Sequence, residues 1–273
     1  MKTKSSERFE DRIERGARDH YQEASYYTKN YAKRSHDVAY YVELGRLYGC
    51  EVLEYGCGNG RIAYPMAARG NHVVGIDLSQ PMLDDFKGRL ADADSQIQER
   101  VELVHGDMRQ VRLNRKFGLV LCTFNTFLHL YTRSDVERFL GCVKAHMQAD
   151  ARFVFDVSMP CPKELAREPE RAYSIPKLRY PKTGQLVRYS ENFDYDQQTQ
   201  VLFVTMRFEP LDKPKSAFTH LLTHRQFYPQ ELEALLHYNG FEIESAVSDF
   251  GDEPLGQDTD SAVYTVRLAK AHS

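Results

Sequence analysis

Residues 52–60 read Val-Leu-Glu-Tyr-Gly-Cys-Gly-Asn-Gly, and no other stretch constrains the fold as strongly. An apolar run ends in the acid Glu54, glycines then alternate at positions 56, 58 and 60, and an apolar helical pattern follows. Glycine permits positive φ and lets the backbone approach a ligand closely. The stretch therefore predicts a strand, a tight turn and a helix that present free N–H groups to a crevice above a sheet. Its spacing is not the G-x-G-x-x-G pattern of dinucleotide-binding proteins.

Two further acids stand at the ends of short apolar runs. Asp77 closes the run 73–77, and Asp107 follows the run 101–105. A carboxylate at the tip of the second strand is placed to accept both hydroxyls of a ribose, and one at the tip of the third can accept from an adenine amino group. An ordinary turn with solvated acids is the alternative, but three successive acids at strand tips favour a nucleoside site.

These stretches resemble the class I S-adenosylmethionine-dependent methyltransferases. The matching segments are LEYGCGNGR (53–61), VVGIDLSQPML (73–83), VHGDMRQ (104–110) and FGLVLCTFNTFLHL (117–130). They cover the first half of the chain in the family's order. The resemblance implies S-adenosylmethionine as the methyl donor, no metal, and a doubly wound, mostly parallel seven-stranded α/β sheet.

The resemblance also assigns donor-binding residues. It places Glu54 at the methionine and sulfonium side, Asp77 at the ribose and Asp107 at the adenine. The full donor-binding set is Tyr27, Tyr31, Glu54, Gly56, Cys57, Gly58, Arg61, Asp77, Leu78, Met82, Gly106, Asp107, Met108, Thr123 and Phe124. Cys57 is in this set as a small residue of the turn, and we assign it no chemistry.

The expected catalytic residues are His129 and Tyr27, and the expected acceptor-binding residues are Asn125, His129, Arg188 and His224. His129 follows the fourth strand, where it either accepts a proton from the acceptor or packs beside its apolar neighbours. Asn125 either points at the substrates or caps its loop. His220, His224 and Tyr228 share one face of an expected strand, but no cysteine or acid completes a metal set, so no metal is expected.

Composition excludes several classes of function. The 273 residues are 42% hydrophobic and carry a formal net charge of −3, so there is no basic field for nucleic acid. No run approaches the length of a membrane span, and the charged N-terminus is unlike a signal peptide. The five cysteines are scattered without a CxxC pair. We expect a cytoplasmic monomer or homodimer with a small-molecule acceptor.

The remaining pattern gives the organisation. Strands near 52–55, 73–77, 101–105, 118–123 and 152–157 alternate with helices near 60–69, 80–92 and 135–148, the last opened by a Ser134-x-x-Glu137 capping box. Polar residues 163–185 precede strand-like runs at 186–195, 200–209 and 218–228, which indicate an inserted antiparallel β unit. A helix from Pro229 to Gly240 and strands at 241–244 and 261–268 follow.

The insertion narrows the resemblance. The run THLLTHRQFYPQELEALLHYNG (219–240) resembles small-molecule N-methyltransferases of the glycine and sarcosine type and of the sugar N,N-dimethyltransferase type. That resemblance implies a tyrosine lid over the donor and inserted strands that roof the acceptor. The expected domains are residues 1–48 as an N-terminal helical lid, 49–160 with 229–273 as the donor-binding domain, and 161–228 as the acceptor cover.

Methyl transfer from a sulfonium is an in-line displacement that needs alignment, exclusion of water and a free lone pair on the acceptor. Placement supplies roughly 7–11 kcal/mol of such a barrier. We favour transfer to nitrogen or oxygen of a small molecule. Transfer to a protein or nucleic acid, or donor binding without catalysis, are the alternatives. A nicotinamide-dependent dehydrogenase fits the glycine spacing least well.

Overall fold

The computed structural model describes residues 7–31 and 33–270. Residues 1–6 and 32 of the expected lid, and 271–273 of the expected donor-binding domain, lie outside the described residues. The chain divides into two units, which we call the four-stranded unit (Met1–Tyr31 with Cys161–Gln226) and the seven-stranded unit (Ala32–Pro160 with Phe227–Ser273).

The described chain folds into helices and strands with the following bounds. The helices are α1 (Phe9–Gly16), α2 (Ala24–Tyr31), α3 (His36–Tyr48), α4 (Ala63–Ala68), α5 (Gln80–Ala91), α6 (Ser95–Gln98), α7 (Arg133–His146), α8 (Pro162–Leu165) and α9 (Pro229–Tyr238). The strands are β1 (Glu51–Tyr55), β2 (His72–Asp77), β3 (Val101–His105), β4 (Phe117–Cys122), β5 (Met147–Ser158), β6 (Tyr173–Arg179), β7 (Leu186–Asp196), β8 (Val201–Pro210), β9 (Phe218–Arg225), β10 (Phe241–Ser248) and β11 (Ser261–Leu268).

The seven-stranded unit has the strand order β10-β11-β5-β4-β1-β2-β3. Strands β1 to β5 pair in parallel, and β11 pairs antiparallel with both β5 and β10. From β1 the strand order runs to β2 and β3 on one side and to β4 and β5 on the other. The order therefore reverses between β1 and β4, and open α/β sheets bind ligands at such a switch point. The predicted doubly wound sheet is confirmed.

Both faces of this sheet are covered. Leu53 and Tyr55 of β1 join a core with the aromatic rings of α7, β5 and β11, while Val52 joins a second core with Met66 and Phe86 of α4 and α5. Neighbouring strand residues point to opposite faces, so apolar runs such as Val52-Leu53 supply both cores at once. The two cores fix the strand ends that carry the acids.

Helix α3 belongs to the seven-stranded unit, which corrects the expected lid of residues 1–48. Tyr41 of this helix is fully buried and packs with Val52 and Ile62. The division falls after Tyr31. The sequence of the N-terminal region does not mark this boundary, because α2 and α3 both contain tyrosines and are distinguished by the unit that each packs in.

The capping box of α7 also lies elsewhere than predicted. Thr132 is the N-cap: it accepts from the backbone N–H of Asp135, whose carboxylate accepts from the N–H of Thr132. Ser134 lies inside the first turn instead. Asp135 takes the place that glutamate or glutamine has in the usual capping box. Because Thr132 is the N-cap, α7 begins at Arg133, two residues before the predicted start.

The four-stranded unit has the order β6-β7-β8-β9 with every pair antiparallel, as its turn signals predicted. Strand β6 was missed, because its Pro176 suggested a loop. It is an edge strand with an irregularity between Ile175 and Leu178, the setting that tolerates proline. The last strand stops at Arg225, three residues before its predicted end, because Tyr228 is the N-cap of α9.

Helices α1 and α2 pack on this antiparallel sheet. The Arg12 guanidinium lies 3.9 Å from the centroid of the Phe203 ring, and its Nη2 lies 2.8 Å from Asp194 Oδ2. Tyr26 of α2 stacks on Tyr180 with ring centroids 5.7 Å apart. Residues 7–31 are therefore structural parts of the four-stranded unit.

Candidate active site

The glycine turn after β1 is tied to β2. The N–H groups of Gly56 and Cys57 both donate to Ile76 O, at 2.7 and 3.1 Å. Gly56 has φ +70°, and a Cβ on it would lie 2.4 Å from Thr126 Cγ2 of the loop after β4. The turn therefore needs glycine at this position for its conformation and for the close approach of that loop.

Asp77 at the tip of β2 holds the middle of the turn. Its Oδ2 accepts from Gly58 N and its Oδ1 from Ser79 N, both at 2.7 Å. Burial raises its pKa, although these two bonds oppose the shift. The next residue, Leu78, is 55% exposed and offers an apolar surface at the same strand tip. Asp77 thus combines an anchoring role with lone pairs for hydroxyl groups.

Glu54 of β1 is buried, and only one of its two carboxyl oxygens has a hydrogen-bond partner among the described residues. Oε1 accepts from Thr123 Oγ1 at 2.8 Å, while Oε2 has no hydrogen-bond partner among the described residues. Burial raises the pKa of Glu54 to about 8. A buried acceptor without a partner is costly, so this oxygen is suited to a ligand that carries a donor or a positive charge.

Asp107 follows β3 and forms a two-pronged ion pair with Arg109. Arg109 Nε lies 2.9 Å from Oδ1 and Nη2 lies 2.7 Å from Oδ2, and Nη1 reaches Asp135 Oδ1 at 2.8 Å. Burial acts to raise the pKa of Asp107, but the Arg109 guanidinium and the backbone N–H of Arg109 together outweigh burial, and the pKa is lowered. Arg109 was not among the predicted site residues, and it holds Asp107, the acid predicted for adenine, in its ionised form.

Arg61, two residues before α4, pairs with Asp37 of α3. Its Nη2 and Nη1 lie 2.6 and 3.0 Å from the two carboxylate oxygens of Asp37, which is almost fully buried. The guanidinium also lies 4.3 Å from the centroid of the Phe124 ring. Arg34 approaches the same ring at 4.9 Å and Asp37 Oδ2 at 3.5 Å. Two arginines thus share one acid beside Phe124.

The loop after β4 has an unusual backbone. Phe124 and Asn125 have φ of +53° and +64°, although neither is glycine. Asn125 Oδ1 accepts from Ser158 N at 2.6 Å and from Ser158 Oγ at 3.0 Å. The amide oxygen of Asn125 therefore ties the loop to the end of β5, and its predicted role in acceptor binding stays a prediction.

His129 ends the 3₁₀ turn Thr126–His129 in this loop. It is half-buried, and its Nδ1 lies 2.9 Å from the Tyr131 hydroxyl. Burial lowers the pKa of His129 to about 4. The imidazole is consequently neutral near pH 7, the state in which it can accept a proton or a hydrogen bond.

Four other predicted residues support these groups. Met82 of α5 is buried, and its Cε lies 3.2 Å from the place of a Cβ on Gly58. Gly106 N donates to Asp77 O at 3.0 Å, which joins β3 to β2, and Met108 packs on the core. Cys57 is buried with a raised pKa, so it is a neutral packing thiol.

A sequence profile described as a methyltransferase domain matches residues 52–150, the stretch that carries the glycine turn, the three acids and the loop after β4. The matched stretch contains β2, β3 and β4 and nearly all of β1, the strands that carry these groups.

Residues 52–150, within the seven-stranded unit, therefore form a methyltransferase domain.

Known proteins support this placement. The cypemycin N-terminal methyltransferase of a Streptomyces species is 28% identical over 130 residues, which are 48% of this chain and 51% of that relative. The dTDP-3-amino-3,6-dideoxy-alpha-D-glucopyranose N,N-dimethyltransferase of Streptomyces fradiae is 30% identical over 47% of each chain. The chain spans about half the length of the curated relatives it matches.

A solved structure extends the likeness of fold beyond the methyltransferase domain. The CcbJ methyltransferase from Streptomyces caelestis superposes with a TM-score of 0.77 at 19% identity, over 93% of this chain and 99% of that one. The four-stranded unit therefore belongs to the shared fold.

The remaining predicted residues lie in the four-stranded unit. Tyr27 is buried and Tyr31 half-buried, with ring centroids 4.8 Å apart beside His20, whose Nε2 lies 3.3 Å from the Tyr31 hydroxyl. Arg188 is exposed and paired with Glu209, and His224 lies half-buried opposite Leu202 on β8. The lid role of the tyrosines and the acceptor roles of Arg188 and His224 stay predictions.

The described residues contain no group of three histidine, cysteine, aspartate or glutamate side chains placed to hold a metal ion. Among the described helices, none has the length and apolar character needed to cross a bilayer.

Sequence reasoning missed Asp37, Tyr41, Arg109 and Asp156 as residues that support the site. One signal was available for Asp156, because an acid inside the apolar run Phe153–Val157 needs a partner when buried. No local signal marks Asp37, whose partner Arg61 lies 24 positions away.

Proposed function

We propose that the chain transfers a methyl group from S-adenosylmethionine to a nitrogen, or an oxygen, of a small molecule by in-line displacement. The observation that carries this proposal is the convergence of Glu54, Asp77 and Asp107 with the glycine turn at one edge of the sheet, next to its switch point. Three carboxyl groups at successive strand tips suit a ligand with a cationic end, a ribose and an adenine.

The donor fits the chemistry of these groups. S-adenosylmethionine carries a sulfonium and an α-ammonium, and Oε2 of Glu54 is a buried acceptor that lacks a partner among the described residues. Asp77 keeps lone pairs beyond its two backbone bonds for a ribose diol. Arg34 and Arg61 both contact Asp37 and the Phe124 ring, and we propose that their positive charge attracts the donor carboxylate.

The donor brings an activated methyl group, so the protein's task is mainly placement. We propose that the turn and the loop after β4 align sulfur, methyl carbon and acceptor, with water excluded. His129 acts beside the acceptor as a neutral imidazole that accepts its proton or a hydrogen bond. General-base help of this kind contributes about 10²–10⁴-fold, less than alignment.

The acceptor class rests on the relatives. The names of the two relatives above specify an N-terminal methyltransferase and an aminosugar N,N-dimethyltransferase, so both act on amines. The formal charge of −3 gives no basic field for nucleic acid. We therefore propose an amine-bearing small molecule as acceptor.

An isotope screen tests the proposal. The protein is incubated with S-adenosylmethionine carrying a labelled methyl group and pools of small amines, alcohols, peptides and nucleic acids, and labelled products are separated by mass. We expect label in an amine pool. Label confined to protein or nucleic acid would replace the acceptor class, and donor binding with no labelled product in any pool would favour a binding protein.

Replacing His129 by alanine should reduce turnover by about 10- to 10³-fold and leave donor affinity unchanged, because the imidazole serves the acceptor. Since the pKa of His129 is about 4, its protonation should not limit the rate between pH 8 and pH 6. Steady-state kinetics and donor binding check this. His72→Ala removes an exposed histidine of β2 as the matched control. Full activity in His129→Ala would reduce the residue to packing.

Donor binding should release protons near neutral pH. Glu54 has a pKa of about 8 without ligand, so it is largely protonated at pH 7. A cationic donor beside Oε2 favours the carboxylate and lowers that pKa, so affinity should rise with pH up to about 8. Calorimetry in phosphate and in Tris, whose ionisation enthalpies differ, measures the protons released.

Glu54→Gln is the matched variant for this linkage, because it keeps the shape of the side chain and cannot titrate. The proton release attributed to Glu54 should vanish in it. Equal proton release in Glu54→Gln and in the wild type would assign the linkage to another group.

A further inference from the structure

Asp156 of β5 is a buried acid that lies outside all the sequence motifs quoted above. Its relative exposure is 1%, and three donors converge on its carboxylate. Oδ1 accepts from the Tyr41 hydroxyl at 2.5 Å and from Phe124 N at 2.7 Å, and Oδ2 accepts from Asn125 N at 3.1 Å. Two of the three bonds hold the backbone of the loop after β4.

Those two amides belong to the residues with positive φ. Left-handed backbone is unfavourable for a residue with a Cβ, more so for phenylalanine than for asparagine. Such a conformation persists only where the surrounding structure determines it. The carboxylate of Asp156 stabilises this left-handed conformation, because it accepts hydrogen bonds from the backbone N–H groups of both Phe124 and Asn125.

The turn also fixes where the Phe124 ring lies. The guanidinium groups of Arg61 and Arg34 lie 4.3 and 4.9 Å from the ring centroid, and both contact Asp37 of α3. Tyr41 lies one turn further along the same helix. Helix α3 therefore makes two contacts with this region. Its Asp37 pairs with both arginines, and its Tyr41 donates a hydrogen bond to Asp156.

We propose that Asp156 is a positioning residue: by holding the left-handed pair Phe124–Asn125, with Tyr41 as its support, it keeps the Phe124 ring and the arginine pair in the arrangement that binds the donor. This inference rests on the proposed function. It adds a residue that none of the sequence motifs contains, and it gives α3 a function in the donor site.

Asp156→Asn tests the inference, because asparagine keeps the shape but offers a single acceptor oxygen. With that oxygen in the place of Oδ1, its NH₂ group faces Asn125 N, donor against donor. We expect hydrogen exchange of the Phe124 and Asn125 amides, followed in peptides spanning 121–130, to become at least tenfold faster. We expect affinity for S-adenosylhomocysteine to fall by about 10- to 100-fold.

Two further variants separate positioning from general destabilisation. Asn71→Ala is the matched control, since Asn71 is buried and donates to Gly45 O and Gly49 O, both at 3.0 Å, away from the loop. It should lower stability with neither local exchange nor donor affinity changed. Tyr41→Phe removes one bond only and should give a smaller change in the same direction, which keeps the test decisive if Asp156→Asn does not fold.

The outcomes are distinct. Faster exchange at 121–130 together with weaker binding supports the inference. Unchanged exchange, or faster exchange with wild-type affinity, overturns it. A wild-type protein that binds no S-adenosylhomocysteine contradicts the proposed function itself, whereas wild-type binding with an unaffected Asp156→Asn variant contradicts only the role of Asp156.

Discussion

Replacing Asp77 by alanine should weaken binding of S-adenosylhomocysteine by about 3 kcal/mol, roughly 100-fold. The carboxylate anchors the glycine turn and, in our proposal, also binds the ribose of the donor, so alanine removes both roles. The ribose diol loses a charged acceptor, and the N–H groups of Gly58 and Ser79 lose the oxygens that they reach at 2.7 Å. Equilibrium dialysis with labelled ligand measures the change.

Two variants frame this result. Asp77→Asn keeps one acceptor oxygen and should fall between the wild type and alanine. Asp92→Ala removes an exposed carboxylate at the end of α5 and should change neither binding nor stability by more than about 0.5 kcal/mol. Wild-type affinity in Asp77→Ala would remove Asp77 from the donor site.

Replacing Gly60 by alanine should lower the free energy of unfolding by about 3 kcal/mol or more. Gly60 has φ +79°, and a Cβ there would lie 2.3 Å from two atoms of the Phe86 ring. Phe86 of α5 is fully buried in the core that also holds Met66 of α4 and Val52 of β1, so its ring has no room to move away. Donor affinity should fall too, because relief of the clash moves the glycine turn.

Gly88 supplies the matched glycine for that experiment. It lies on the exposed side of α5 in helical backbone, and a Cβ on it would meet no other part of the protein within 4 Å. Gly88→Ala should therefore stabilise the protein by about 0.5–1 kcal/mol. Urea unfolding followed by circular dichroism measures both variants, since the chain has no tryptophan. Equal stability of Gly60→Ala and wild type would contradict the packing described for the turn.

The candidate site residues that could be predicted from the sequence are those that lie in short, contiguous motifs. Glu54 and Asp77 each stand at the end of an apolar run, and their neighbours in the fold follow from parallel pairing alone. The glycine turn can be predicted from its own sequence, because glycines are favoured at positions with positive φ, as at Gly56, Gly58 and Gly60. The parallel sheet and the antiparallel unit followed from the same kind of local pattern.

The supporting residues depend on contacts that sequence spacing does not encode. Asp156 meets Tyr41 across 115 positions, and Arg61 meets Asp37 across 24. The boundary after Tyr31 is of the same kind, since α2 and α3 are both tyrosine-containing helices that differ only in the sheet they cover. Strand β6 was missed because edge strands tolerate proline, which removes the usual signal.

The central claim is that this crevice binds S-adenosylmethionine. Calorimetric titration of the wild-type protein with S-adenosylmethionine, S-adenosylhomocysteine and NADH under one set of conditions tests it most directly. The account predicts one site per chain for each of the first two ligands and no saturable heat with NADH. Saturable binding of NADH that is tighter than that of S-adenosylmethionine would contradict it.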